Sequence, residues 1–240
     1  MKTHDSSEDL RRELALKFME CGAVLTRDSG DSLVEISATG ERGFFNHSHE
    51  ENPDGALCPY RFNLRTPKNP EPGLLTPEIV KMATDCLHVI AFREQLRYGS
   101  VAGVPNSGDS FALEFSRTPP YIVPCMRLLK GKKWGRRAIV GIEDCVSHEE
   151  AQVVLIDDQV RHGDTTRRLS IDILRKNRYF VKDILAIIDC EEGGREIIEA
   201  QGYRLHSIFT KSELFTIYRE IGRINSQLYD AIMAYETIRN

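Results

Sequence analysis

The sequence has no long hydrophobic run. No apolar stretch approaches the roughly 18 residues that a helix needs to span a bilayer, and the first nine residues are polar, without the apolar segment of a secretory leader. The formal net charge of −4 is also small, which argues against a surface devoted to nucleic acid or lipid. We expect no membrane partner, and we regard a nucleic-acid partner as the less favoured alternative.

Closely spaced metal ligands are also missing. The six cysteines lie far apart and form no C-x-x-C pair, which is a spacing typical of metal and redox sites. His47 and His49 lie near Glu50 and Glu51, but the spacing fixes no third ligand, so solvated loop residues are the favoured interpretation. We expect reduced thiols, a cytoplasmic location and no dedicated metal cage.

The 240 residues are enough for one sizeable core. Short apolar segments alternate with amphipathic ones from residue 98 onward. Strands that alternate with helices imply βαβ units and a mostly parallel sheet covered on both faces, so the predicted fold class is α/β. The predicted strands are 101–104, 121–126, 152–156, 183–188 and 205–208, and the predicted helices between them are 110–116, 165–177 and 195–201.

The segments outside this alternation differ in composition. A helix is predicted at 7–21, and the Gly-, Asp- and Ser-rich stretch 26–55 is interpreted as an insertion or flap. A proline-rich loop then leads into a helix at 77–97. We therefore divide the chain into an N-terminal hood region, a core and a C-terminal extension, with bounds at 1–97, 98–210 and 211–240.

The C-terminal extension is predicted to be helical with one apolar face. Its apolar side chains recur at three- and four-residue steps, and such a stripe needs a cover. The N-terminal helix of the same chain or a second subunit would serve. The residues of the stripe are Ile221, Ile224, Leu228, Ile232 and Tyr235.

Residues 153–166 carry the most informative pattern. An apolar strand ends in Asp157 and Asp158, and the chain turns through Gly163 into a predicted helix. Open α/β sheets bind ligands at the carboxyl ends of strands, and such a turn presents backbone N–H groups to a phosphate. Two carboxylates for ribose hydroxyls and a phosphate cradle suit a sugar phosphate. An ordinary strand-to-helix loop with capping residues explains the same pattern.

A cluster of positive charge precedes this strand. Like charges in one segment repel and stay mobile unless an anion gathers them. The segment is interpreted as an anion-binding loop, a solvated loop, or a nucleic-acid contact with Trp134 as a stacking surface. The cations are Arg127, Lys130, Lys132, Lys133, Arg136 and Arg137.

Five segments resemble, in the same order along the chain, motifs of the type I phosphoribosyltransferases, and of the orotate phosphoribosyltransferases in particular. Residues 153–166 resemble the motif that binds 5-phosphoribosyl 1-diphosphate (PRPP). The other four segments are 58–65 (Cys-Pro-Tyr-Arg-Phe-Asn-Leu-Arg), similar to an early motif; 103–108, similar to the pyrophosphate loop; 132–135, similar to the mobile catalytic loop; and 189–195, similar to the Asp-Arg-Glu-x-Gly-Gly motif. The resemblance implies the type I phosphoribosyltransferase fold.

The resemblance also implies a reaction, a metal and an assembly. The expected activity joins the ribose 5-phosphate of PRPP to a nucleobase and releases pyrophosphate, with Mg²⁺, in a homodimer. Asp157 and Asp158 would hold the ribose, and Lys132 with Lys133 would close over the pyrophosphate. The remaining implied contacts are Arg161, Gly163, Asp164, Thr165, Thr166 and Lys130 for PRPP, Pro105, Asn106, Ser107 and Gly108 for the pyrophosphate loop, and Arg61, Phe62 and Cys190 for the base.

Some residues depart from the orotate pattern. Cys190 stands where the resemblance places an Arg that contacts the orotate carboxylate, and a cysteine supplies no cation. Arg161 and His162 stand where Thr or Ser is usual, and Asp164 replaces a Gly. We therefore expect orotate to be a poor substrate. An inactive regulatory module that binds PRPP or a nucleotide is the alternative function.

Overall fold

The structure is a computed structural model that describes residues 3–37, 40–45, 56–119, 122–133, 136–143, 152–162 and 165–235. Within these residues the helices are α1 Thr3–Glu20, α2 Pro77–Arg93, α3 Ser107–Arg117, α4 Thr165–Lys176, α5 Gly194–Ala200, α6 Lys211–Glu220 and α7 Ser226–Ala234. The strands are β1 Val24–Thr26, β2 Glu35–Ile36, β3 Arg42–Gly43, β4 Tyr60–Phe62, β5 Ser100–Gly103, β6 Cys125–Lys133, β7 Arg136–Glu143, β8 Gln152–Val160, β9 Phe180–Asp189 and β10 Arg204–Thr210.

A six-stranded sheet forms the centre of the fold, in the order β10-β9-β8-β5-β6-β7. The pairs from β10 to β6 are parallel, and β7 alone in this sheet runs antiparallel to its neighbour. Two small antiparallel pairs, β1 with β4 and β2 with β3, lie outside it. The predicted α/β class with a mostly parallel sheet is confirmed.

Helices cover both faces of the sheet because its central strands alternate between two apolar layers. On β8, Val154 and Ile156 belong to the core cluster that contains residues of α1, α2, α3 and α6. Val153 and Leu155 belong to the other cluster, with residues of α4 and α5. Successive side chains of a strand point to opposite faces, so a continuous apolar run fills two layers at once. None of the described helices is long and apolar enough to cross a membrane.

The second helix begins where the sequence predicts. Thr76 caps it by accepting a hydrogen bond from the backbone N–H of Ile79, and Pro77 takes the first helical position, where no N–H is needed. The proline-rich segment before it is largely irregular, as predicted, except that Tyr60–Phe62 pairs with β1. This short strand was missed because prolines surround it.

The basic segment differs from its prediction. The strand predicted at 121–126 begins at Cys125, continues through the cations to Lys133 and returns as β7. Alternation accounts for the first part of the strand, where Met126 and Leu128 are buried and Arg127 between them is exposed. Lys130 and Lys132 are exposed farther along, beyond the irregularity in pairing at Leu129 and Lys130. A loop over residues 127–133 is therefore wrong, whereas the predicted role of 132–135 in closing over a pyrophosphate stays a prediction. We call β6 and β7 the basic ribbon.

The C-terminal extension contains two helices, α6 and α7, instead of one. The break includes Gly222 at φ +72°, a conformation that glycine adopts without strain. Ile224, Leu228 and Ile232 are buried in the chain's own core, and the Tyr235 ring lies 6.3 Å from that of Tyr60. The apolar stripe therefore gives no support for a second subunit. The division at 97/98 and 210/211 stays a prediction.

Truncating the buried side of α7 should destabilise the folded chain. Ile232 has no exposed surface, so Ile232→Ala should lower the free energy of unfolding by about 2 to 5 kcal/mol. Ile221→Ala is the matched control, since Ile221 is 38% exposed and its truncation should cost much less. Urea denaturation measures both changes. Equal losses for the two variants would contradict the described packing.

Candidate active site

Three loops meet where β5, β8 and β9 end. These strands are adjacent and parallel, so their carboxyl ends lie on one edge of the sheet. The loop after β5 leads into α3, and a Cβ on Gly108 would lie 2.3 Å from the carbonyl oxygen of Ile156. Only glycine allows this approach. The predicted pyrophosphate loop, 105–108, is thereby held directly against β8.

The two acids of the PRPP-like motif are joined by a hydrogen bond of 3.0 Å from the backbone N–H of Asp158 to Asp157 Oδ1, but they have different cationic neighbours. β8 extends to Val160, so Asp157 and Asp158 lie within the strand and their side chains point to opposite faces. Asp157 accepts a hydrogen bond of 3.0 Å from Arg167 Nε of α4, and both side chains are buried. Burial raises the pKa of Asp158, while its hydrogen bond with Asp157 and the charge of Arg65 lower it. Asp157 therefore forms an ion pair with Arg167 of α4, and Asp158 lies within the electrostatic influence of Arg65.

Arg65 joins the N-terminal segment to the pyrophosphate loop. Its Nε donates to Ser107 Oγ at 3.4 Å, and its Nη1 forms an ion pair with Glu71. Nearby, Asn69 Nδ2 donates to the backbone carbonyl of Asn106 at 2.9 Å. Arg65 was not predicted as a site residue, although it is the last residue of the early motif. Its charge and its place in that motif were the available signals.

The basic ribbon brings positive charge to the start of α3. Burial raises the pKa of Asp109 to about 7, whereas Arg127 and Lys130 lower it. These two cations of β6 therefore act on the residue that follows the pyrophosphate loop. Lys132 is exposed farther along the same strand. The side chain of Lys133 lies outside the described part of the chain, as do Trp134 and Gly135.

The predicted phosphate turn lies only partly within the described residues. Gly163 and Asp164 lie outside them. Thr165 and Thr166 begin α4, as expected for a helix that follows a phosphate-binding turn, but their side chains are outside the description. Their contacts with a phosphate stay predictions.

Arg161 points to the loop after β9. Its Nη1 donates to Glu192 Oε1 at 3.0 Å, and Tyr60 Oη donates to the same oxygen at 3.1 Å. His162 lies against the same residue, with Nδ1 2.8 Å from the Glu192 carbonyl oxygen. Glu192 was not predicted, because its position in the Asp-Arg-Glu-x-Gly-Gly pattern is variable. We call Arg161, His162 and Glu192 the selector cluster.

The structure places Phe62 of the predicted base site in the core, whereas base contacts by Arg61 and Cys190 stay predictions. Phe62 is buried, with ring centroids 5.0 Å from Tyr60 and 5.9 Å from Phe215. It is a core residue in this structure and offers no exposed face for a base. Alternation along β4 is the reason, because Tyr60 and Phe62 point inward and Arg61 points the other way. Cys190 is fully buried, and burial raises its thiol pKa.

The sequence and the fold are similar to those of known proteins. A bovine (Bos taurus) uridine 5′-monophosphate synthase is 26% identical over 160 residues, which are 66% of this chain and 32% of that protein. An orotate phosphoribosyltransferase from Saccharolobus solfataricus is 27% identical over 182 residues, 75% of this chain and 85% of that protein. The structure of Leishmania donovani UMP synthase covers 93% of this chain and 41% of its own, with 19% identity and a TM-score of 0.66. No protein-family model matches the sequence.

The chain has the type I phosphoribosyltransferase fold, as its sheet, its loop arrangement and these structural similarities define it. Its sequence is similar, at 26 to 27% identity, to proteins named uridine 5′-monophosphate synthase and orotate phosphoribosyltransferase. The chain spans about a third of the length of the bovine relative (32%).

The partly buried acid of α3, Asp109, predicts a pH dependence of stability. Burial raises the pKa of Asp109 from 3.8 to about 7, so the folded chain holds this proton more tightly than the unfolded chain. Its contribution to the free energy of unfolding therefore falls as pH rises from about 4 to about 7. Asp109→Asn stays neutral and should lack this loss. As pH rises from about 4 to about 7, the urea midpoint of the variant should increase relative to that of the unaltered protein.

The matched control for this experiment is Asp172→Asn, since Asp172 is exposed on α4. Its midpoints should follow those of the unaltered protein at each pH. If the curves of Asp109→Asn also run parallel to them, Asp109 does not carry the proposed proton.

Proposed function

We propose that this chain is a PRPP-dependent phosphoribosyltransferase that joins ribose 5-phosphate to a nucleobase and releases pyrophosphate. The observation that supports this most is the meeting of Asp158, Arg65 and the loop 105–108 at the carboxyl ends of β5 and β8. One carboxylate beside a cation-lined loop suits a ribose that carries a pyrophosphate. The relatives named orotate phosphoribosyltransferase add to this support.

Each part of PRPP has a proposed binding element. Asp158 would hold the ribose hydroxyls. The 5′-phosphate would lie at the turn into α4, with Gly163 and the first residues of the helix. The pyrophosphate would lie against the loop 105–108, whose α3 N-terminus has no side-chain cap. Asp157 is then a positioning residue, because its ion pair with Arg167 fixes α4 against β8.

The reaction forms a bond between a base nitrogen and C1 of the ribose while the bond from C1 to the pyrophosphate oxygen breaks. The electron pair of that bond leaves with the pyrophosphate, so negative charge develops there. Arg65 contacts Ser107 of the pyrophosphate loop, and Lys130 acts on Asp109 directly after it, so both would stabilise this charge. Lys132 and Lys133 would close over the loop and exclude water from the oxocarbenium-like ribose.

The residues also fit a Mg²⁺ ion brought by the substrate. Mg²⁺ is usually bound by one or two carboxylates together with substrate phosphates, and Asp158 supplies a carboxylate on the proposed ribose side. Bound there, the ion would neutralise part of the pyrophosphate charge. Arg65 and Lys130 would act beside it on the same leaving group.

An inactive module that binds PRPP or a nucleotide is the second candidate function. Two observations favour it, since Asp157 and Arg161, which the resemblance assigns to PRPP, are paired with Arg167 and Glu192. Pyrophosphate release on adding a panel of nucleobases with PRPP and Mg²⁺ separates the two. Release with any base supports the enzyme, and binding of PRPP without release supports the module.

A homodimer and a cytoplasmic location belong to the same proposal. Their basis is the resemblance alone, in which one subunit's basic loop reaches the site of the other. Light scattering on the intact protein should give twice the chain mass of 27.3 kDa. A mass of one chain would contradict the dimer.

The two acids of β8 should respond differently to substitution. PRPP with Mg²⁺ should stabilise the unaltered protein by about 2.7 kcal/mol at a concentration 100 times its Kd. Asp158→Asn should lose most of this gain while keeping its stability without ligand. Asp157→Asn should lower the stability without ligand by about 3 kcal/mol, because it leaves the buried Arg167 without a charged partner. Thermal and urea denaturation measure both effects.

Each variant serves as the control for the other, because both remove one carboxylate from the same strand. A full PRPP shift in Asp158→Asn would contradict the ribose contact. Unaltered stability in Asp157→Asn would contradict its positioning role.

A further inference from the structure

One carboxylate oxygen of Glu192 accepts no hydrogen bond from the described residues. The residue is 7% exposed, and its Oε1 accepts hydrogen bonds from Arg161 and Tyr60. Its Oε2 is buried and accepts no hydrogen bond from the residues that the structure describes. A buried acceptor without a donor is unfavourable. The position is therefore one that an arriving N–H group would stabilise.

His162 lies next to this oxygen but donates no hydrogen bond to it. Its Nδ1 lies 2.8 Å from the Glu192 carbonyl oxygen, and a carbonyl only accepts, so Nδ1 carries the proton. In a neutral ring Nε2 then has none, and it faces Glu192 Oε2 at 3.6 Å. The His162 side chain is 43% exposed. A ligand that moves this ring would reach the unsatisfied oxygen.

The charges of the selector cluster already balance. Arg161 supplies one positive charge and Glu192 one negative charge, at 3.0 Å. Burial raises the thiol pKa of Cys190 and the phenol pKa of Tyr60, so both stay neutral near pH 7. An anionic ligand would add a negative charge without a partner, on the same side as Asp158. Buried unpaired charge is strongly unfavourable, so an uncharged ligand fits better.

The selector cluster lies next to the proposed ribose site. Arg161 is three residues beyond Asp158. The backbone N–H of Cys190 donates a hydrogen bond to the carbonyl oxygen of Val160 at the end of β8. A base attached to C1 of the ribose therefore lies within reach of the ends of β8 and β9. Guanidinium N–H groups donate to carbonyl oxygens, and a carboxylate accepts from N–H groups.

We infer that the selector cluster selects an uncharged nucleobase with adjacent N–H and C=O groups, whose N–H donates to Glu192 Oε2 and whose carbonyl accepts from Arg161. This inference rests on the proposed function, because it places the base beside the ribose held by Asp158. It names the substrate class of that site: oxo-pyrimidines or oxo-purines without a carboxylate. Discrimination follows because a base that lacks the N–H leaves Glu192 unsatisfied and an anionic base leaves a charge unpaired.

Two nucleotides that differ in one carboxylate provide the test. Uridine 5′-monophosphate and orotidine 5′-monophosphate share the ribose 5-phosphate and the N–H and C=O groups of the base. Titration calorimetry on the full chain should show that the uridine nucleotide binds at least about tenfold more tightly, a difference of about 1.4 kcal/mol. Binding needs no turnover, so the test also applies to an inactive module.

Two matched variants locate the preference. Glu192→Gln leaves Arg161 without its acid, so the preference should shift at least about tenfold toward the orotidine nucleotide. Glu191→Gln removes the same charge one residue away, where the carboxylate accepts from Ser212 N at 2.7 Å and Ser212 Oγ at 2.8 Å. This control should keep the preference of the unaltered protein. The preference of the unaltered protein by itself tests the charge argument.

Each outcome has a definite meaning. Tighter binding of the orotidine nucleotide by the unaltered protein would overturn the inference and leave the proposed function standing. An equal shift in Glu191→Gln and Glu192→Gln would show that Glu192 is not the selecting residue. If PRPP stabilises the chain but neither nucleotide binds, the inference alone fails. If PRPP also has no effect, the proposed function fails with it.

Discussion

The alternation of side chains along β8 is the constraint on which the rest of the site depends. Because the strand continues past its two acids, one carboxylate must face α4 and the other the opposite layer. The first is neutralised by Arg167, which fixes the helix that follows the phosphate turn. The second is left for the side where Arg65 and the loop 105–108 meet. One strand thus carries an acid paired with α4 and, next to it, the acid that we propose contacts the ribose.

Two buried ion pairs therefore have different consequences. The pair of Asp157 and Arg167 joins two elements that must keep their relative position, and it is enclosed on both sides. The pair of Arg161 and Glu192 joins two loops, and Arg161 remains partly exposed. Buried pairs contribute little net stability compared with apolar replacements. Their stronger effect is on which arrangement the chain adopts and, in the inference drawn for the second pair, on which ligand charge the site accepts.

The order of strands and helices in the core could be predicted because each strand is a run of apolar residues between turn signals. The strand that contains Val153 and Ile156 is buried on both faces, and that burial is visible in its composition. The basic ribbon could not be predicted in this way, since its cations outnumber the two buried side chains of its first strand, Met126 and Leu128. The break at Gly222 was hidden for a related reason, because Ile221 and Ile224 continue the helical period across it.

In the candidate site too, the sequence predicted which segments come together, whereas the direction of each side chain depends on packing. Motif order predicted a site from Asp157, Asp158 and the loop 105–108, and these residues lie at one edge of the sheet. The motif did not predict the direction of each side chain. Phe62 follows the half-buried Arg61 in sequence, yet its ring packs on that of Phe215. The variable position of a motif also carried no signal, although it places Glu192 against Arg161. A relative that keeps the fold can therefore change its ligand by exchanging charges between neighbouring strand ends, without moving any element of the sheet.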